Sequence, residues 1–177
     1  MTFKDSILYQ TSSNYVVDEQ ITMDTEFWFD TSIEGRIGAL LGNYQDENTP
    51  PKRYALEIYS LGRIRLYTTA DEASAFLFSY DIRTHLEDGK FVKISVVVDT
   101  ADCLDPEGNE KMGKATLYVN GEEKDTKYAS REVFASGWFS TSTPMCVGGD
   151  RRTKNGRFNE QFFKGEIKNV TVYSAVY

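Results

Sequence analysis

With one histidine and two cysteines among its 177 residues, the chain is poor in the side chains that carry most transition-metal and nucleophilic chemistry. A zinc centre needs a cluster of such ligands, and His85, Cys103 and Cys146 stand far apart in the sequence. Two cysteines are too few for a disulfide framework. Cys103 falls in an acidic loop and Cys146 in an expected strand, so no bridge between them is expected. Positive charge is also short: 20 Lys and Arg against 27 Asp and Glu leave a net charge of -7, which argues against nucleic acid as a partner. No segment approaches the roughly 20 apolar residues of a membrane-spanning helix, so no membrane insertion is expected. Residues 1–14 carry no apolar signal region. Helix signals are nearly absent, with one expected helical turn from Ile82 to Asp88 that Gly89 would end. No nucleophile motif accompanies His85.

What the chain does have is aromatic residues, 14% of the total with 11 Tyr and 11 Phe, a composition suited to pleated, half-buried surfaces. Strands are expected at Ile21 to Asp30, Gly35 to Tyr44, Arg53 to Tyr59, Arg63 to Thr69, Ala73 to Tyr80 and Phe91 to Asp99. Further ones are expected at Lys114 to Val119, Glu122 to Lys127, Pro144 to Gly148 and Phe163 to Tyr173, the last with a slip in its alternation near Asn169. Asn120-Gly121 predicts a type I′ turn, and Ser60-Leu61-Gly62 a second hairpin. Residues 46–51 and 99–113 read as long loops, and Asp150 to Arg157 as a basic loop holding Arg151, Arg152, Lys154 and Arg157. About ten short strands with regular turn signals predict an all-β fold, a two-sheet antiparallel β-sandwich of the jelly-roll kind. The chain stops four residues after its last strand, which suggests one module, residues 1–177, of a larger protein with neighbouring catalytic or anchoring domains. Its targeting segment would then lie elsewhere in that protein, and its location would be extracellular or at the cell surface.

Period-two alternation sorts the Arg53–Tyr67 hairpin into two faces. Tyr54, Leu56, Ile58, Ile64 and Leu66 form the core set. Arg53, Glu57, Tyr59, Arg65 and Tyr67 gather on the opposite face. Flat aromatic rings and charge-assisted donors and acceptors are what sugar recognition requires; a solvated sheet face laced with cross-strand ion pairs has the same composition. In the basic loop, Arg152 and Asn155 offer donors for a carboxylate. Trp138, between Gly137 and Phe139, reads either as a stacking platform or as a plug at the end of the core. Hard oxygen ligands make calcium the expected cofactor, if any, with Asp102, Asp105 and Asp150 as candidate ligands. Paired carboxylates of a hydrolase are hard to find: Asp24 and Glu26 are two apart on one strand without a third acid, and Glu57 has Tyr59 two positions on. The Asn169-Val170-Thr171 sequon sits in an expected strand, a poor place for a glycan.

Four segments carry a resemblance to a known family. Phe27-Trp28-Phe29-Asp30, Phe91 to Asp99, Ala115 to Glu122 and Phe163 to Tyr173 resemble, in that order, strands of laminin-G-like, concanavalin A-like domains. The run from Gly149 to Gly165 is similar to one in the sialic-acid-binding modules of bacterial sialidases, with Arg152, Asn155 and Phe162 at comparable places. The resemblance implies Glu57 and Arg65 as counterparts of the Glu and Arg those modules carry on the concave sheet. It also implies a non-catalytic carbohydrate-binding module of a secreted bacterial protein, with a glycan as ligand and no enzymatic activity. The alternative is a structural or protein-contacting domain of a larger secreted enzyme.

Overall fold

The structure is a computed structural model that describes residues 2–3, 9–14, 20–33, 37–43, 55–59, 62–67, 75–86, 90–129, 144–154 and 157–173. Two six-stranded sheets, antiparallel throughout, face each other. From edge to edge the first holds β1 (Thr2–Phe3), β16 (Gly165–Tyr173), β3 (Gln20–Trp28), β8 (Val92–Asp99), β11 (Lys114–Val119) and β12 (Glu122–Tyr128). The second holds β2 (Tyr9–Asn14), β13 (Pro144–Val147), β4 (Gly38–Asn43), β5 (Ala55–Ile58), β6 (Arg63–Tyr67) and β7 (Ala75–Asp81). Two separate ribbons complete the architecture, β9 (Cys103–Leu104) with β10 (Glu110–Lys111), and β14 (Gly149–Lys154) with β15 (Arg157–Phe162).

Alternation decides which side chains fill the space between the sheets. Ile21, Met23 and Phe27 of β3 and Val92, Ile94, Val96 and Val98 of β8 enter from one side. Leu56 and Ile58 of β5 and Ile64 and Leu66 of β6 enter from the other. The slip anticipated near Asn169 is a break in register between Ile167 and Asn169 where β16 meets β3. It lets Ile167 and Val172 both reach the core. At the end of β3, Phe27 and Phe29 receive the ring of Phe163 edge-on, with centroids 5.7 and 6.4 Å away and planes near perpendicular, a favoured aromatic geometry. Asn120 and Gly121 both have positive φ, 50° and 86°, as the expected type I′ turn demands. Where β7 and β12 form neighbouring sheet edges, Ser79 donates its backbone N–H to Asp125 Oδ2 at 2.6 Å and Lys127 Nζ reaches Ser79 Oγ at 3.2 Å. A charged side chain thus satisfies an edge-strand donor that another chain would otherwise pair with.

Three sequence expectations change. The helical turn is a 3-10 helix of four residues, Ile82–His85, capped by Asp81, whose side chain accepts from Arg83 N. The segment 99–113 is not all loop, because β9 and β10 pair within it. The basic segment 150–157 is not a loop either: Arg151 and Arg152 stand on β14 and Arg157 opens β15, the two strands being in register from Gly149↔Phe162 to Lys154↔Arg157. That register leaves two residues, Asn155-Gly156, to connect the strands, and these lie outside the described residues. Both cysteines are free, Cys146 buried and Cys103 partly exposed.

The root of the β14–β15 ribbon is fixed to the second sheet by backbone hydrogen bonds: Gly148 N–H to Leu40 O, Phe163 N–H to Gly148 O and Lys164 N–H to Ile37 O, each 2.9 Å. Gly38, with φ 117°, makes the close approach possible, since a Cβ there would run into the Phe162 carbonyl. Gly38→Ala is therefore expected to destabilise the fold by about 3 kcal/mol through combined backbone strain and overlap. Gly108→Ala, also at positive φ but with open space around it, is expected to cost about 1 kcal/mol. Urea midpoints of the two variants at unchanged m-value test the difference.

The turn between β9 and β10 is organised by Asp105. Its carboxylate accepts from the backbone N–H of Glu107 and Asn109 and from Asn109 Nδ2, and pairs with Lys111 Nζ at 3.3 Å. The Asn109 amide, with Lys111 behind it, lowers the Asp105 pKa from 3.8 to about 2. A depressed folded-state pKa adds stability that is complete above the unfolded value and is lost as pH falls through the folded one. The stabilisation is therefore lost between about pH 4 and 2, while the Gly108 and Asn109 amide resonances of the folded protein should hold their positions down to about pH 3 and move through a midpoint near pH 2. Asp105→Asn should remove that titration.

Candidate functional site

The second sheet turns Ala55 and Glu57 away from the core, as alternation against Leu56 and Ile58 requires. Ala39, Ala55, Glu57 and Cys146 are all buried, at 1% exposure or less, yet none belongs to the core cluster. Register explains their grouping: Cys146 pairs with Gly42, Gly42 with Ala55, and Ala39 with Glu57. The outer face of this sheet thus has a floor of small residues in which one charged group is set.

Glu57 is the one charged residue buried among the described residues, at 0% exposure. Its partner stands directly across on β6, since Glu57 and Arg65 are register neighbours. Arg65 Nε donates to Glu57 Oε1, and the guanidinium carbon lies 3.9 Å from the centroid of the Tyr59 ring. The hairpin places Tyr59 there because Tyr59 N–H donates to Arg63 O at 2.8 Å, closing β5 against β6. Arg65 keeps 13% of its side chain exposed. A guanidinium that is ion-paired on one side and stacked on an aromatic ring is fixed in position and plane. A rigid planar donor next to an aromatic surface suits a carboxylate- or hydroxyl-bearing ligand.

Of the residues singled out from sequence, the structure brings Glu57, Tyr59 and Arg65 together. Tyr67 is on β6 across from Ala55, and Asp150 and Arg152 are on β14 opposite Gln161 and Asn159; the side chains of these three lie outside the described residues, as do Arg53, Trp138 and Asn155 entirely. The ribbon that carries Arg152 packs against β4, the neighbour of β5. The sequence signal for this hairpin is Asn155-Gly156, the same dipeptide as at Asn120-Gly121.

Of the aspartates expected as calcium ligands, Asp102 and Asp105 are described and the Asp150 side chain is not. Both Asp105 oxygens face N–H donors, whose hydrogens occupy the directions a cation would need. Asp102 is exposed, and no group of three or more His, Cys, Asp or Glu side chains converges among the described residues.

The carboxylates spaced by two, Asp24 and Glu26, lie on the outer face of the first sheet. Lys93 pairs with Asp24 at 2.9 Å, and Lys168 with Glu26 at 2.7 Å. The Lys168 hydrogen bond, assisted by Asn169, holds Glu26 below the usual carboxylate range. A glycosidase needs one of its two acids to stay protonated, which burial and not a lysine would achieve. His85 shares a hydrogen bond with the Tyr80 hydroxyl. Asn169 of the sequon is on β16 and donates to Glu26 Oε2 at 2.9 Å.

No relative was found among curated protein sequences. Among solved structures, a SAP-like pentraxin from Limulus polyphemus superposes with a TM-score of 0.62 at 15% identity, covering 96% of this chain and 70% of that one. The CBM40 module of a Ruminococcus gnavus IT-sialidase gives 0.58 at 18% identity, covering 97% and 92%; the same module is also known bound to α2,3-sialyllactose and α2,6-sialyllactose. The NanB sialidase of Streptococcus pneumoniae gives 0.57 at 16% identity, with 96% of this chain matching 26% of that larger one. At such identities the likeness is one of fold. A family model described as the concanavalin A-like lectin/glucanases superfamily matches residues 9–177, and the chain belongs to that superfamily.

Proposed function

We propose that the protein is a non-catalytic carbohydrate-binding module that takes an acidic glycan on the outer face of its second sheet. The observation that carries this reading is Arg65, held between the Glu57 carboxylate and the Tyr59 ring and still partly exposed. Arg65 would meet the ligand carboxylate, and Tyr59 would lie beside the sugar ring. Arg152 and Asn155, from the adjoining ribbon, would add donors. The sialyllactose-bound neighbour supports an acidic ligand. Binding is an equilibrium with no bond broken, and a ligand that meets only the exposed part of Arg65 and its neighbours gains modest affinity. Such a module would serve a secreted or surface protein by holding its neighbouring domains near glycans. Among the described residues, no helix is long and apolar enough to cross a membrane.

The protein-contacting alternative calls for a contiguous apolar patch. Among the described residues the exposed large hydrophobic is a single one, Leu104, so the glycan reading is preferred.

Calorimetric titration of the wild type with 3′-sialyllactose, 6′-sialyllactose and lactose tests the proposal. The sialylated sugars should bind, and lactose at least about tenfold more weakly, the effect of roughly one charge-assisted hydrogen bond. A folded wild type that binds no acidic glycan would overturn the assignment.

A further inference from the structure

Glu57 and Arg65 are equivalent partners in sequence, but their surroundings give them different work. Arg65 retains 13% of its side chain exposed and Glu57 retains none. The carboxylate sits on the floor of small residues, across from Ala39 on one side and Arg65 on the other. It accepts from Arg65 Nε, the nitrogen nearest the side-chain stem. We propose that Glu57 is a positioning residue: it never touches the ligand, and it acts by fixing the guanidinium of Arg65.

This role for Glu57 presupposes the proposed glycan site, in which Arg65 meets the ligand. An arginine side chain has four flexible torsions, and ordering one at the moment of binding weakens the affinity. Here the backbone register supplies the acceptor in advance, and the Tyr59 ring fixes the plane. A buried carboxylate is costly unless a cation meets it, so the pair exists before any ligand arrives. Lysine at position 65 would keep the charge and lose both the planar stack and the Nε–H donor. A neutral glutamine at position 57 would keep an acceptor of the same shape and lose the charge that holds Arg65.

The test pairs a spectroscopic readout with affinity. In the wild type, the Arg65 Nε–H should appear as a resolved resonance protected from exchange with water. In Glu57→Gln, with the amide spectrum of the core strands unchanged, that protection should be lost. Affinity for 3′-sialyllactose should fall about tenfold, and Arg65→Lys should fall at least as far. An unprotected Arg65 Nε–H in the wild type overturns the inference without any variant, which covers the case of Glu57→Gln failing to fold. Wild-type affinity in Glu57→Gln also overturns it, as does lost affinity with the Nε–H still protected, because the carboxylate would then act on the ligand directly. A wild type that binds no acidic glycan overturns the proposed function itself, a result separate from the state of the Nε–H.

Discussion

Phe163 is the point at which the parts of this molecule are fixed to one another. Its ring is buried edge-on against Phe27 and Phe29 at the end of β3. Its backbone N–H ties to Gly148, and the next residue ties to Ile37. One side chain therefore anchors the first sheet while its own backbone holds the second sheet and the root of the β14–β15 ribbon. Burying a phenylalanine is worth about 1.5–3 kcal/mol, a large share of a fold that is only marginally stable. The outer face with Glu57 and Arg65 keeps its place relative to the ribbon because both hang from this junction.

The two sheets make different use of charge. On the outer face of the first, Asp24 and Glu26 pair with Lys93 and Lys168, which are more than half exposed. Pairs of that kind are screened by water and contribute little to stability or selectivity. On the second sheet one carboxylate is withdrawn from water entirely, and its partner is held by both charge and an aromatic ring. The same ingredients, acid, base and β-strand, give a solvated surface in one case and a fixed donor in the other. Depth of burial makes the difference.

Most of the scaffold was legible in the sequence because a strand with one buried face states its period directly. Ile94, Val96 and Val98, or Leu56 with Ile58, admit no other arrangement, and Asn120-Gly121 names its turn. The grouping of Glu57, Tyr59 and Arg65 followed from the same arithmetic. What alternation does not state is how deeply the outward set is covered. That depends on strands remote in sequence, such as β4 and β13, which bring Ala39, Gly42 and Cys146 alongside. The β14–β15 ribbon was misread for a related reason: its strands pair only with each other, so neither shows the apolar period of a strand that lines a core.

The turn at Asn120-Gly121 has a consequence for the lifetime of the molecule. Asn-Gly is the dipeptide most prone to spontaneous deamidation, in which the glycine nitrogen attacks the asparagine side-chain carbonyl and closes a five-membered imide. Here Asn120 Oδ1 accepts from Lys93 N–H at 3.1 Å, and Asn120 N–H donates to Lys93 O at 2.8 Å. The side chain is thus tied to β8 at its carbonyl oxygen. The contact that registers the β11–β12 hairpin against its neighbour also restrains the side-chain torsion on which closure of the imide depends.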